Sequence, residues 1–157
     1  MSEAPLPELF AMQLTGFTPG SKLDVAKGSF RGIGFGGRAT VAKFDTHNLV
    51  LDIRVTKLLF HIDVKLNFHH DAEGKPLFFG GRPDGKKTGS EPAHVKHSMT
   101  VATLTPERSV FDLQIDDAEK GTVIRQVSVE KTRHNGADAM RLTYDRYEMT
   151  LAPSRRR

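Results

Sequence analysis

The sequence predicts an all-β fold, an antiparallel and strongly curved sheet or barrel of about eight strands, led by one short N-terminal helix. Three observations carry this reading. Residues 49–68 alternate apolar and polar side chains over a long run. Turn residues punctuate the rest of the chain at roughly 8–12-residue intervals. Helical periodicity is absent after residue 16.

The helix is expected over residues 6–15. Leu6, Leu9, Phe10 and Leu14 fall at helical spacing on one side. Pro7 and Glu8 suit a first turn, and Gly16 suits the position just past the end. Such a helix would plug or cover a sheet. After Thr18-Pro19-Gly20-Ser21, short strands are expected at Leu23–Ala26, Ser29–Phe35 and Arg38–Phe44.

The central stretch follows. Leu49, Leu51, Ile53 and Val55 alternate with Val50, Asp52, Arg54 and Thr56. Beyond Lys57 the pattern resumes one residue out of phase, with Leu58, Phe60, Ile62, Val64, Leu66 and Phe68 as the dry set. Side chains of a strand point alternately to opposite faces, so each half has one dry and one wet face. A single strand over this stretch would run about 65 Å. Residues 54–60 contain no Gly, Pro, Asn or Asp, so turn chemistry is missing. A one-residue slip is also what a β-bulge produces. One long strand bent at a bulge is therefore expected, with a tight hairpin as the alternative.

Asp71–Lys75 reads as a hairpin loop and Pro76–Phe79 as a brief strand, followed by the polar, Gly-rich Gly80–Pro92 loop. Four strands are expected after it, at His94–Leu104, Ser109–Asp116, Thr122–Lys131 and Ala139–Leu151. Asn135-Gly136 is a hairpin signal before the last of them, which slips phase between Tyr144 and Tyr147. No linker divides residues 1–157, so the chain reads as one domain with a basic tail over 152–157.

Composition narrows the function. There is no cysteine, which removes thiol chemistry, disulfides and thiolate zinc sites. The N-terminus lacks the pattern of a secretory signal, and no apolar run approaches the ~20 residues of a membrane helix. A cytoplasmic location is the expectation. The net charge is +4, but Arg155, Arg156 and Arg157 supply three of the 23 basic residues, leaving 20 against 19 acidic ones. A nearly neutral body does not favour a nucleic-acid binder, which usually carries a basic face.

Sequence motifs carry chemistry only in the structural context they need. Gly32-Ile33-Gly34-Phe35-Gly36-Gly37 matches a dinucleotide fingerprint in letters, but a strand follows it where a helix is required. Gly80–Thr88 misses the P-loop pattern because Lys87 stands where the hydroxyl belongs. Arg82, Lys86 and Lys87 remain as an anion-binding candidate. His61, Asp63 and His69 share a wet face, and with His97 they form a candidate set of metal ligands. No serine sits in a nucleophile elbow and no carboxylate stands alone in an apolar run, so no catalytic set and no cofactor are expected.

The leading expectation is a non-catalytic domain that binds an apolar or lipid-like ligand on the concave face through Phe60, Ile62, Val64, Leu66 and Phe68. The alternatives are a structural or protein-interaction module, possibly self-assembling through edge strands, and polyanion or nucleic-acid binding through the 80–92 loop and the arginine tail.

Overall fold

The computed structural model describes residues 6–81 and 95–154. Among these residues eleven strands form one sheet, and every paired neighbour is antiparallel. They are β1 (Lys22–Phe30), β2 (Ile33–Gly34), β3 (Gly36–Phe44), β4 (Leu49–Lys57), β5 (Phe60–His70), β6 (Pro76–Gly81), β7 (Val95–Leu104), β8 (Arg108–Asp117), β9 (Gly121–His134), β10 (Ala137–Tyr144) and β11 (Tyr147–Pro153). The order is β6-β5-β4-β3-β1-β11-β10-β9-β8-β7, with the two-residue β2 paired to β1. The sheet curls until β6 and β7 approach each other, giving a barrel that is nearly closed. The strand count therefore exceeds the expected eight. Two phase slips each conceal an extra strand, and Ser29–Phe35 is broken by a turn at Arg31-Gly32.

The first slip is a hairpin and not a bulge. Leu58-Leu59 forms a two-residue loop, and Lys57 pairs with Phe60. Paired residues face the same way, and these two are three positions apart, so a two-residue loop shifts the parity of the pattern by one. The Tyr144↔Tyr147 pair across Asp145-Arg146 repeats the geometry and divides the expected last strand into β10 and β11. A bulge and a two-residue hairpin leave the same trace in hydrophobic phase. Leu58 adopts φ 54°, a left-handed conformation that leucine rarely takes, and this is why turn chemistry gave no warning.

Bulges do curve the sheet, but elsewhere. Register breaks between Val25 and Lys27, between Val41 and Lys43, and between Val101 and Thr103. The residue skipped is alanine each time, within Val-Ala-Lys, Val-Ala-Lys and Val-Ala-Thr. A bulge bends its strand and raises the local twist, so three of them help the sheet curl toward closure.

The N-terminal segment is not a helix. Phe10, Met12 and Leu14 are buried while Gln13 and Thr15 are exposed, a period-two pattern proper to extended chain. A helix this short gains little by itself. Burying Leu9, Phe10, Met12, Leu14 and Phe17 contributes more, about 1.5–3 kcal/mol for each large side chain. The extended segment enters one end of the barrel and fills it. Phe10 touches Phe44, Phe68 and Phe111 edge-on at 5.6–5.9 Å between ring centroids. The amides of Leu9 and Phe10 both donate to the Thr46 carbonyl, at 2.7 and 3.1 Å. His47 and His70 each contact the Pro7 carbonyl oxygen, at 3.2 and 2.8 Å. Thr15 N–H donates to Asp138 at 2.9 Å and holds that carboxyl below its ordinary value.

The barrel thus has two distinct ends. The plugged end carries the 45–48, 71–75, 105–107 and 135–136 connections. The distal end carries the turns at 31–32, 58–59, 118–120 and 145–146. No described helix is long and apolar enough to cross a membrane.

Candidate functional site at the distal end

The five residues expected to line a ligand face lie along β5 with common parity. Their cross-strand partners include Leu49, Leu51, Ile53 and Val55, so all five belong to the side that faces the barrel interior. Burial then separates them. Phe68 is 1% exposed and wedged among Phe10, Phe78 and Phe111. Leu66 packs against the same core. Val64 is half-buried, while Ile62 is 65% and Phe60 76% exposed. The dry face therefore runs out of the packed core and into the open as it nears the distal end.

Other strands repeat this gradient. On β9, Val129 and Val127 are buried while Val123 is exposed. On β8, Phe111 and Leu113 are buried and Ile115, opposite Val123, is half-buried. Phe78 on β6 meets Tyr144 on β10 across the interior, 5.8 Å between centroids. Beyond it the interior-facing parity includes Arg125, opposite Leu113. Arg125 Nη1 donates to Asp145 at 2.8 Å, which places an ion pair beside apolar walls.

The tip of the β4–β5 hairpin is the most exposed apolar feature of the described residues. Leu58 is 91% and Leu59 97% exposed. β2, just past the neighbouring Arg31-Gly32 turn, adds exposed Ile33, and Lys57 Nζ ties the two hairpins together by donating to the Gly34 carbonyl at 3.0 Å. Glycine is required beside them at Gly37. Its φ is 146°, and any Cβ there would collide with the Arg54 carbonyl oxygen.

The metal-ligand candidates do not converge. His61 and Asp63 are on the outer face of β5, and both Asp63 oxygens are taken by Arg54, at 2.8 and 3.1 Å. That contact holds the Asp63 carboxyl below its ordinary range. His69 lies farther along the same outer face, and its Nδ1 is buried with no hydrogen-bond partner. His97 is on β7, opposite Ile115 on the interior-facing parity. Among the described residues, no three His, Asp or Glu side chains are grouped to hold a metal ion. Arg82, Lys86, Lys87 and the Arg155–Arg157 tail lie outside the described residues.

Two concavities open on the described residues. One of about 330 Å³ crosses the β3–β4–β5 wall beside Arg38, Arg54 and Asp63. Another of about 220 Å³ lies near the plugged end beside Asp24, His134 and Pro153. Neither is an enclosed chamber within the apolar interior.

Sequence reasoning missed the Leu58-Leu59 tip and the His47–Pro7–His70 clasp. The tip had a signal, two adjacent leucines at a phase slip. The clasp had none, because it joins residues distant in sequence. No family model, curated protein or solved structure matches the chain.

Proposed function

We propose that the protein is a non-catalytic binding domain whose site is the apolar interior wall at the distal end of the barrel. The ligand is apolar or amphipathic and lipid-like. One observation carries this reading: the dry face of β5 continues past the filled core, leaving Ile62 and Phe60 exposed. Soluble proteins scatter single apolar residues on their surfaces, whereas a contiguous patch marks a binding surface. Half-buried Val64 continues this face on β5, Val123 and half-buried Ile115 share the interior-facing parity on β9 and β8, and the Arg125–Asp145 pair is a polar group at the same end of the barrel. A few polar groups set in an apolar surface is the composition expected of a small-molecule site.

Of the five residues expected from sequence, Phe60, Ile62 and Val64 are the ones a ligand can reach. Phe68 and Leu66 support the wall from beneath. Native mass spectrometry of purified protein tests the reading. Excess mass matching an apolar small molecule supports it. A bare chain that also fails to take up an added fluorescent fatty-acid analogue overturns it.

A further inference from the structure

We infer that the β4–β5 hairpin tip docks the barrel onto an anionic lipid bilayer, which makes the bilayer the source of the ligand. The inference rests on the reading above and adds a partner to the same site.

The first support is local conformation. Leu58 holds φ 54° in a two-residue turn where Asn or Gly is the favoured residue, and its side chain is 91% exposed. Folding alone gives no reason for leucine there. Strain that the fold does not need points to a role outside it. Leu59 and Phe60 follow directly, and exposed Ile33 stands on β2, which Lys57 bonds at Gly34.

The second support is the charge around this apolar tip. Lys57 stands beside it, Arg31 on the next turn and Arg146 on the one after, the last two linked by Arg31 N–H donating to the Arg146 carbonyl at 3.2 Å. Among the described residues, none of these three cations has a carboxylate within ion-pair distance. The nearby carboxylates are engaged: Asp63 with Arg54, Asp145 with Arg125, and Glu148 with Arg141. Asp116, Asp117 and Glu119 gather at the β8–β9 turn, on the other side of the tip, across the β6–β7 closure from β5. On its β1 and β11 side the apolar tip therefore has a cationic flank.

Aromatic rings complete the pattern. Tyr147 is exposed and stacks on Phe30 at 4.2 Å, with the Arg31 guanidinium 5.2 Å from the Phe30 ring centroid. Leucines to enter the acyl boundary, a tyrosine at headgroup level and lysine or arginine facing phosphate are the components of an interfacial anchor. Bound this way, the barrel presents Phe60 and Ile62 at the boundary from which a lipid chain would be drawn.

Vesicle flotation tests this with the whole chain, using phosphatidylcholine vesicles with and without 30% phosphatidylglycerol as the probe. The expected result is flotation with anionic vesicles, weakened at high salt, and at least tenfold less in Leu58→Asn/Leu59→Asn. Lys57→Glu/Arg31→Glu should lose the preference for anionic vesicles. Because Asn relieves the turn, the leucine variant should melt no lower than wild type, and about 2–4 °C higher for each kcal/mol of strain removed. A well-folded leucine variant that floats like wild type overturns the inference. So does no flotation of wild type, even where a fatty-acid analogue binds and the ligand reading stands. Loss of a dimer in sedimentation of the leucine variant, without wild-type flotation, overturns it in favour of self-association.

Discussion

Phe68 and Phe60 occupy the same face of the same strand, eight residues apart, yet one is 1% and the other 76% exposed. The alternation that orients both rings is uninterrupted between them. What differs is the company at each end of the barrel. The extended N-terminal segment brings Phe10 against Phe68 and buries Met12 and Leu14 in the same core. No described segment does this for Phe60. Strand pattern therefore decides which way a side chain points, while burial depends on what the rest of the chain brings to meet it.

This contrast can be broken from either end. The largest effect should come from the plug. Phe10→Ala removes a ring that contacts three others and should cost about 3–5 kcal/mol, read as a lower midpoint in urea unfolding. A loss below about 1 kcal/mol would mean that the barrel holds together without its plug. At the other end the sign should reverse. Leu58→Asn places a residue that tolerates positive φ at the strained turn, and stability should rise by about 1 kcal/mol. Thermal melting measures it, and a lowered midpoint would show that the leucine supports the fold.

A smaller effect should come with acid. The Thr15 amide holds the Asp138 carboxyl below its ordinary value of 3.8, so its contribution is present above that pH and fades as pH falls through the lowered folded-state value. Stability should thus drop below about pH 4, with less of a drop in Asp138→Asn. Equal acid sensitivity in the variant would assign the drop to other carboxylates. The smallest effect belongs to Phe60→Ser, which should shift stability by no more than about 0.5 kcal/mol, since exposed positions rarely matter to folding.

Much of the fold was legible because alternation is a local property. The all-β class, most strand positions and the shared face of Phe60, Ile62, Val64, Leu66 and Phe68 all follow from period two. What failed was local information with two physical causes. The slip at Leu58 fits a bulge and a two-residue hairpin equally well, and the absent turn residues pointed to the wrong one because Leu58 tolerates a conformation that its type avoids. The apolar spacing of residues 6–14 fits a helix or an extended plug, and the barrel interior selects the second. The three real bulges were marked by Val-Ala-Lys and Val-Ala-Thr, a signal visible only once register is known. At the candidate site, the parity of the wall could be read in advance. The point along β5 where packing stops could not, because the plug sets it from another part of the chain.

The most direct test asks whether the exposed part of this wall serves a ligand. Wild type and Phe60→Ser/Ile62→Ser would be titrated with a fluorescent fatty-acid analogue, with melting followed in parallel. Saturable binding by wild type, lost in the variant at unchanged melting temperature, is expected. Equal binding by both proteins, or none by wild type, would contradict a binding site at the distal end.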